Sequence, residues 1–141
     1  MKGQIQSAEV SYFVHATEDR ARVDAAVAEM VGASGEVSVE EVEGHFGNTI
    51  VLVKLRLTGD QAMTAVLGVI SKMPSAVKES LRRDLEKRMD EHSALYLRLD
   101  KQKLLSGEVA LADSDPVRVR VKPRLYALGG SAAQFYRGIL D

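Results

Sequence analysis

The stretch Leu95-Tyr96-Leu97-Arg98-Leu99 alternates without exception, and Val117-Arg118-Val119-Arg120-Val121-Lys122 repeats the pattern further along the chain. Successive side chains of a strand point to opposite faces, so each stretch reads as a strand with one aliphatic face and one face of Tyr, Arg or Lys. A sheet that is dry on one face and wet on the other is typically antiparallel and covered by helices on one side. Working outward, the other strands carry the same signal. Ile5 to Ala16 puts Val10, Tyr12 and Val14 on one face and Phe13 and His15 on the other. Val37 and Val39 begin a second strand, and Ile50 to Thr58 forms a third with Lys54 and Arg56 on one face. Between them, Glu43-Gly44-His45-Phe46-Gly47-Asn48 holds the residues that tolerate positive φ, which predicts a hairpin.

Helical spacing fills the gaps. Thr17 is the expected N-cap of a first helix, with Glu18 and Asp19 in its first turn, Val23, Val27, Met30 and Val31 along its apolar stripe and Gly32 at its end. Gly59-Asp60 opens a second helix through Ala62, Val66, Val69, Ile70 and Met73. Pro74 starts a third, striped by Val77, Leu81, Leu85 and Met89. Two of its cations stand four residues after an acid, in Glu79–Arg83 and Asp84–Arg88, while Lys78 and Arg82 have no acid at that spacing and are read as the free ones. A short turn or helix runs through Lys103–Ser106, and Asp113-Ser114-Asp115-Pro116 is a turn before the last strand. This order predicts an α+β fold of two layers, a largely antiparallel sheet with helices packed on one face. Residues 1–124 read as a single domain. Residues 125–141 read as a C-terminal tail whose short helix carries Ala132, Phe135, Tyr136, Ile139 and Leu140 on one side. That stripe either docks on its own domain or is the handle for a protein partner or a second copy.

Composition narrows the chemistry. The chain has 141 residues, 45% hydrophobic and 28% charged, as in an ordinary globular domain. It has no cysteine, which excludes disulfides, thiolate zinc sites and a cysteine nucleophile. No apolar run reaches the length of a membrane span, and Met1-Lys2-Gly3-Gln4 does not begin a signal peptide, so a cytoplasmic protein without a membrane partner is expected. The net charge of −1 hides a division. Residues 1–71 hold 5 Lys/Arg against 10 Asp/Glu, while residues 72–141 hold 14 against 10. A chain divided this way can present a basic face despite its near-neutral total.

Nucleic acid is the first ligand to consider. Tyr96 beside Arg98 offers base stacking and phosphate contact together. Arg118, Arg120 and Lys122 recur about 7 Å apart on one face of a strand, near the spacing of successive backbone phosphates. Lys101 and Lys103 lie in the charged turn that follows Arg98. The competing explanation is a solvated face paired with acids such as Glu40, Glu41 or Glu43. Glu43, His45 and Asn48 can be drawn as a catalytic cluster, but a turn needs the glycines and asparagine for backbone reasons alone. No Gly-rich phosphate loop, nucleophile elbow, dinucleotide fingerprint or metal-ligand histidine spacing is present in the sequence.

Four segments, Phe13-Val14-His15-Ala16-Thr17-Glu18-Asp19, Glu43 to Asn48, Leu95 to Gln102, and Asp113 to Lys122, together resemble an archaeal family described as predicted RNA-binding proteins or predicted exosome subunits. The resemblance covers residues from about 10 to 123. It implies an α+β fold like that of the large-subunit ribosomal protein that binds 5S RNA, and a role in RNA binding, with no catalytic residues to carry over. The expectation is therefore a non-catalytic RNA-binding protein, accessory to RNA processing or degradation, without cofactor or metal. RNA would be held by Tyr96, Arg98, Lys101, Lys103, Arg118, Arg120 and Lys122. The alternative is a protein-interaction subunit or homo-oligomeric scaffold that docks through the acidic N-terminal half and the apolar tail.

Overall fold

Alternation along each strand converts into a five-stranded sheet in a computed structural model that describes residues 3–141. Met1 and Lys2, which the sequence reading includes in the domain, lie outside the described residues. The chain runs through β1 (Ile5–Val14), α1 (Arg20–Val31), β2 (Glu36–Glu43), β3 (Thr49–Thr58), α2 (Gly59–Ser71) and α3 (Ser75–Arg83). It continues through β4 (Leu95–Leu99), α4 (Lys101–Leu105), β5 (Val117–Pro123) and α5 (Ala132–Leu140), with 3-10 turns at Leu85–Arg88 and Leu125–Ala127. The strand order is β2-β3-β1-β5-β4, and every neighbouring pair is antiparallel. The fold is α+β, as the alternation predicts.

The dry face of the sheet is built from Val10, Tyr12 and Val14 of β1, Val53 and Leu57 of β3, Leu95, Leu97 and Leu99 of β4, and Val117, Val119 and Val121 of β5. Val23, Val27, Met63, Val66, Val69 and Ile70 of α1 and α2 close over it in one core. Each such side chain, fully buried, contributes about 1.5–3 kcal/mol relative to remaining in water. The Tyr12 hydroxyl donates to the Asp24 carboxylate and ties β1 to α1.

Local chemistry sets the element ends. The N-cap of α1 is Asp19 rather than Thr17: its carboxylate accepts from the Arg22 amide, so the helix starts two residues later than expected. Gly32 ends α1 with φ 61°, a conformation a side chain would strain. Gly35 is fixed by contact instead, since a Cβ there would stand 2.3 Å from the Arg56 carbonyl oxygen of β3. The third helix stops at Arg83. Leu85 continues its buried stripe inside a 3-10 turn, while Met89 bridges to Leu95 and so becomes extended.

The C-terminal helix is part of the body of the protein. Ser131 and Gln134 form a reciprocal capping box, and Ala132, Tyr136, Ile139 and Leu140 are buried. The Tyr136 hydroxyl donates to the Ser93 carbonyl at 2.6 Å. Arg82, expected to be free, donates to the Leu140 carbonyl at the end of α5. The stripe that offered a handle for a partner is therefore mostly spent on its own domain. In the tail Leu125 and Tyr126 stay exposed.

Candidate nucleic-acid interface

The other face of the sheet bears the cations. Register pairing aligns Ser38, Lys54, Ser11, Arg118 and Arg98 in one row across all five strands, and Glu36, Arg56, Glu9, Arg120 and Tyr96 in the next. Lys122 stands opposite Ser7 on the same side. Arg98, Arg118, Arg120, Lys122, Lys54 and Arg56 thus share a face whose acids are Glu9, Glu36 and Glu40. Six cations outnumber three acids. The acids of β2 do not interrupt β5, because β3 and β1 lie between them. Glu9 stands between Arg56 and Arg120, and Glu36 stands beside Arg56, so the acids gather on β2 and β1, while Arg98, Arg118 and Lys122 face no acid across a ladder.

Arg98 faces Arg118 directly across the β4–β5 ladder. Like charges at opposed positions destabilise a sheet, and neither arginine has an ion-pair partner among the described residues. Two aromatic rings accompany these cations. The Arg120 guanidinium carbon lies 5.8 Å from the Tyr96 ring centroid, and that of Arg118 lies 6.0 Å from the Phe13 ring centroid. The Tyr96 ring, 38% exposed, is held at its tip. Its hydroxyl donates to Asp90 at 3.0 Å and accepts from Arg120 Nε at 3.1 Å. The Ala94 amide, with the Tyr96 hydroxyl and the His92 amide, holds the Asp90 carboxyl below the usual range against a smaller opposing effect of burial. Asp90 thereby stays an acceptor and keeps the ring oriented.

Two of the sequence-derived binding residues are elsewhere. Lys101 is 3% exposed and contributes nothing to the open face. Its ammonium donates to Glu18 at 2.8 Å, Asp115 at 2.6 Å and the Phe13 carbonyl at 2.8 Å. A buried ammonium needs such partners, and they come from two places far apart in sequence, Phe13 and Glu18 at the end of β1 and Asp115 before β5. Lys103 belongs to α4, which packs on α1 rather than lying in the strands of the open face. Phe13 is the residue that sequence reasoning left out. Alternation already placed it opposite Val10, Tyr12 and Val14, but nothing in the sequence said that β1 and β5 are neighbours.

His15 joins the Lys101 cluster, its Nε2 lying 3.1 Å from Asp115 Oδ2. One ligand atom each from His15, Glu18 and Asp115 lies within 4.8 Å of the others, a spacing that would suit a cation. The Lys101 ammonium already supplies positive charge to both carboxylates, which argues for a structural clamp. Asp115 reaches it from a backbone with φ 46°. In the β2–β3 hairpin the Gly44 amide donates to the Asn48 carbonyl, and the Phe46 ring meets the His45 ring edge-on, which supports the turn reading.

An open antiparallel sheet with cations and aromatics on its bare face is an arrangement that suits nucleic acid. Comparison with known proteins agrees, since residues 7–123 match the family model described as RNA binding. The chain belongs to this RNA-binding family. It is 31% identical, over 91% of its length and 89% of the relative's, to "RNA-binding protein PAB1135" of Pyrococcus abyssi. Among solved structures it superimposes with a TM-score of 0.79 on protein AF2318 from Archaeglobus fulgidus, at 29% identity, covering 96% of this chain and 99% of that one. Mth689 from Methanothermobacter thermautotrophicus gives the same TM-score and identity, with 98% and 99% covered.

Proposed function

We propose that the protein binds single-stranded RNA on the open face of its sheet. Arg98, Arg118, Arg120 and Lys122 contact phosphates, and Tyr96 and Phe13 stack bases. The observation that carries this reading is the unpaired opposition of Arg98 and Arg118, an arrangement that costs folding stability and is relieved by an anion. Family membership and the name of the Pyrococcus abyssi relative support RNA as that anion. In this reading the role is to hold RNA, in keeping with an accessory place in RNA processing or degradation. The test is charge reversal. Arg118→Glu with Arg120→Glu should abolish binding of a labelled single-stranded RNA in an anisotropy titration, with the circular dichroism spectrum unchanged. Binding at wild-type affinity would remove the sheet face from the account.

A second reading, a protein partner, is favoured by β2. This edge strand exposes Val37 (60%) and Val39 (46%) beside Glu36, Glu40, Glu41 and Glu43. Its free edge suits a basic extended segment added as a further strand. Glu40→Lys with Glu41→Lys should then abolish that association and leave RNA binding in place.

A further inference from the structure

At the outer edge of β4, where the open face ends, the surface folds into a groove of about 550 Å³. Its position follows from pairing. β4 is an edge strand, and its outer side is bridged at its two ends, Met89 to Leu95 and Leu111 to Leu99. Asp84, Lys87, Arg88, Asp90, Tyr96, Arg98 and Asp113 line the space, the Asp90 carboxylate being already taken up by the His92 and Ala94 amides and the Tyr96 hydroxyl. The volume lies in the range that encloses one small ligand, and a single nucleotide fits it. Tyr96 and Arg98 belong to both the groove and the open face, so a strand of RNA crossing the sheet can turn one base into the groove without leaving its phosphate contacts.

We propose that this groove receives one unstacked guanine of the bound RNA, an inference that rests on the function proposed above. Three features of the lining select the base. Asp84 makes no capping hydrogen bond with its side chain, and Asp113 is exposed in its turn, so both carboxylates are open to a ligand. Arg88 lines the groove beside them, and its guanidinium is a donor group for an acceptor on the ligand. Lys87 adds a further donor. Carboxylates only accept, and guanidinium and ammonium only donate, so the ligand must present both kinds of group. A bare phosphate has no use for the acids. Guanine carries two adjacent donors, N1–H and the N2 amino group, which match the two oxygens of a carboxylate, and its O6 and N7 accept from Arg or Lys. Uracil, adenine and cytosine each lack that adjacent pair of donors.

The experiment compares labelled heptamers: all uridine, and the same chain with a central guanosine, adenosine or cytidine. Guanosine should tighten binding by about tenfold, the discrimination expected of one bidentate base contact. In the Asp84→Asn/Asp113→Asn protein the ratio of guanosine to uridine affinity should collapse toward unity. Reading the ratio cancels any general change in RNA binding. Equal affinity for all four heptamers, an adenosine or cytidine preference, or a guanosine preference that survives in the double variant would overturn the inference and leave the sheet-face function standing. If no heptamer binds at all, the function itself falls and takes the groove with it.

Discussion

At the scale of single residues, Lys101 shows what the fold demands of a charge. Three of the four segments that resemble the RNA-binding family meet at its ammonium: Phe13 and Glu18 from the first, Lys101 itself from the third and Asp115 from the fourth. Removing the ammonium strands two carboxylates. The loss for a buried pair is about 3–5 kcal/mol. Because the Asp115 side chain is 38% exposed, solvent screening brings the expected cost of Lys101→Met nearer to about 2 kcal/mol. Urea denaturation should show this as a lower midpoint with an unchanged slope. Burial raises the Glu18 pKa, but hydrogen bonds from Lys101 and the His15 amide, with the Lys101 charge, outweigh it and leave it lowered. A carboxyl depressed on folding contributes stability that is complete above its unfolded value, about 4.3. That stability is lost as pH falls through the lower folded value. Glu18→Gln should therefore flatten the acid limb of the stability profile below about pH 4. Gly35 poses the opposite problem. Gly35→Ala sets a methyl 2.3 Å from a backbone oxygen that cannot swing away, and should cost about 1–3 kcal/mol in the same assay.

At the scale of elements, alternation made β4, β5 and the faces of β1 and β3 legible, because a period of two leaves no choice about which side chains are dry. The open face was legible strand by strand. Its composition as a surface was not, since Phe13 joins Arg118, and Tyr96 joins Arg120, through a strand order that no local pattern encodes. Lys101 was misread for a related reason. Its neighbours Asp100, Gln102 and Lys103 are polar, and its partners Glu18 and Phe13 lie more than eighty residues away. The stripe of α5 was visible, yet an apolar stripe does not say whether it covers its own domain. Here it braces the turn before β4: Tyr136 holds the Ser93 carbonyl, and the Asp90 carboxylate in that turn holds the Ala94 amide and the Tyr96 hydroxyl. Tyr136→Phe keeps the buried ring and removes the one hydrogen bond. It should cost about 1 kcal/mol of stability by urea denaturation.

At the scale of the whole molecule, charge is sorted by surface more than by half of the chain. The acidic N-terminal half contributes Lys54 and Arg56 to the basic face, while its surplus of acids is drawn to β2 at the far edge. That division sets how binding should respond to salt. Lys101 and Lys103 leave the count of phosphate contacts, and so does Arg56, which has Glu9 on one side and Glu36 on the other where Arg120 meets Glu9 alone. Arg98, Arg118, Arg120 and Lys122 remain, joined at most by Lys54. With about 0.7 of a counterion released per contact on a single strand, log K should fall against log salt with a slope of about −3. Each single replacement by Ala among these four should make the slope shallower by about 0.7. The same change at Lys103, on α4, should leave the slope where it was. A slope near zero in the wild-type protein would mean that phosphates are not what the face holds. An equal loss from Lys103→Ala would mean that the RNA wraps beyond the sheet onto the helical side.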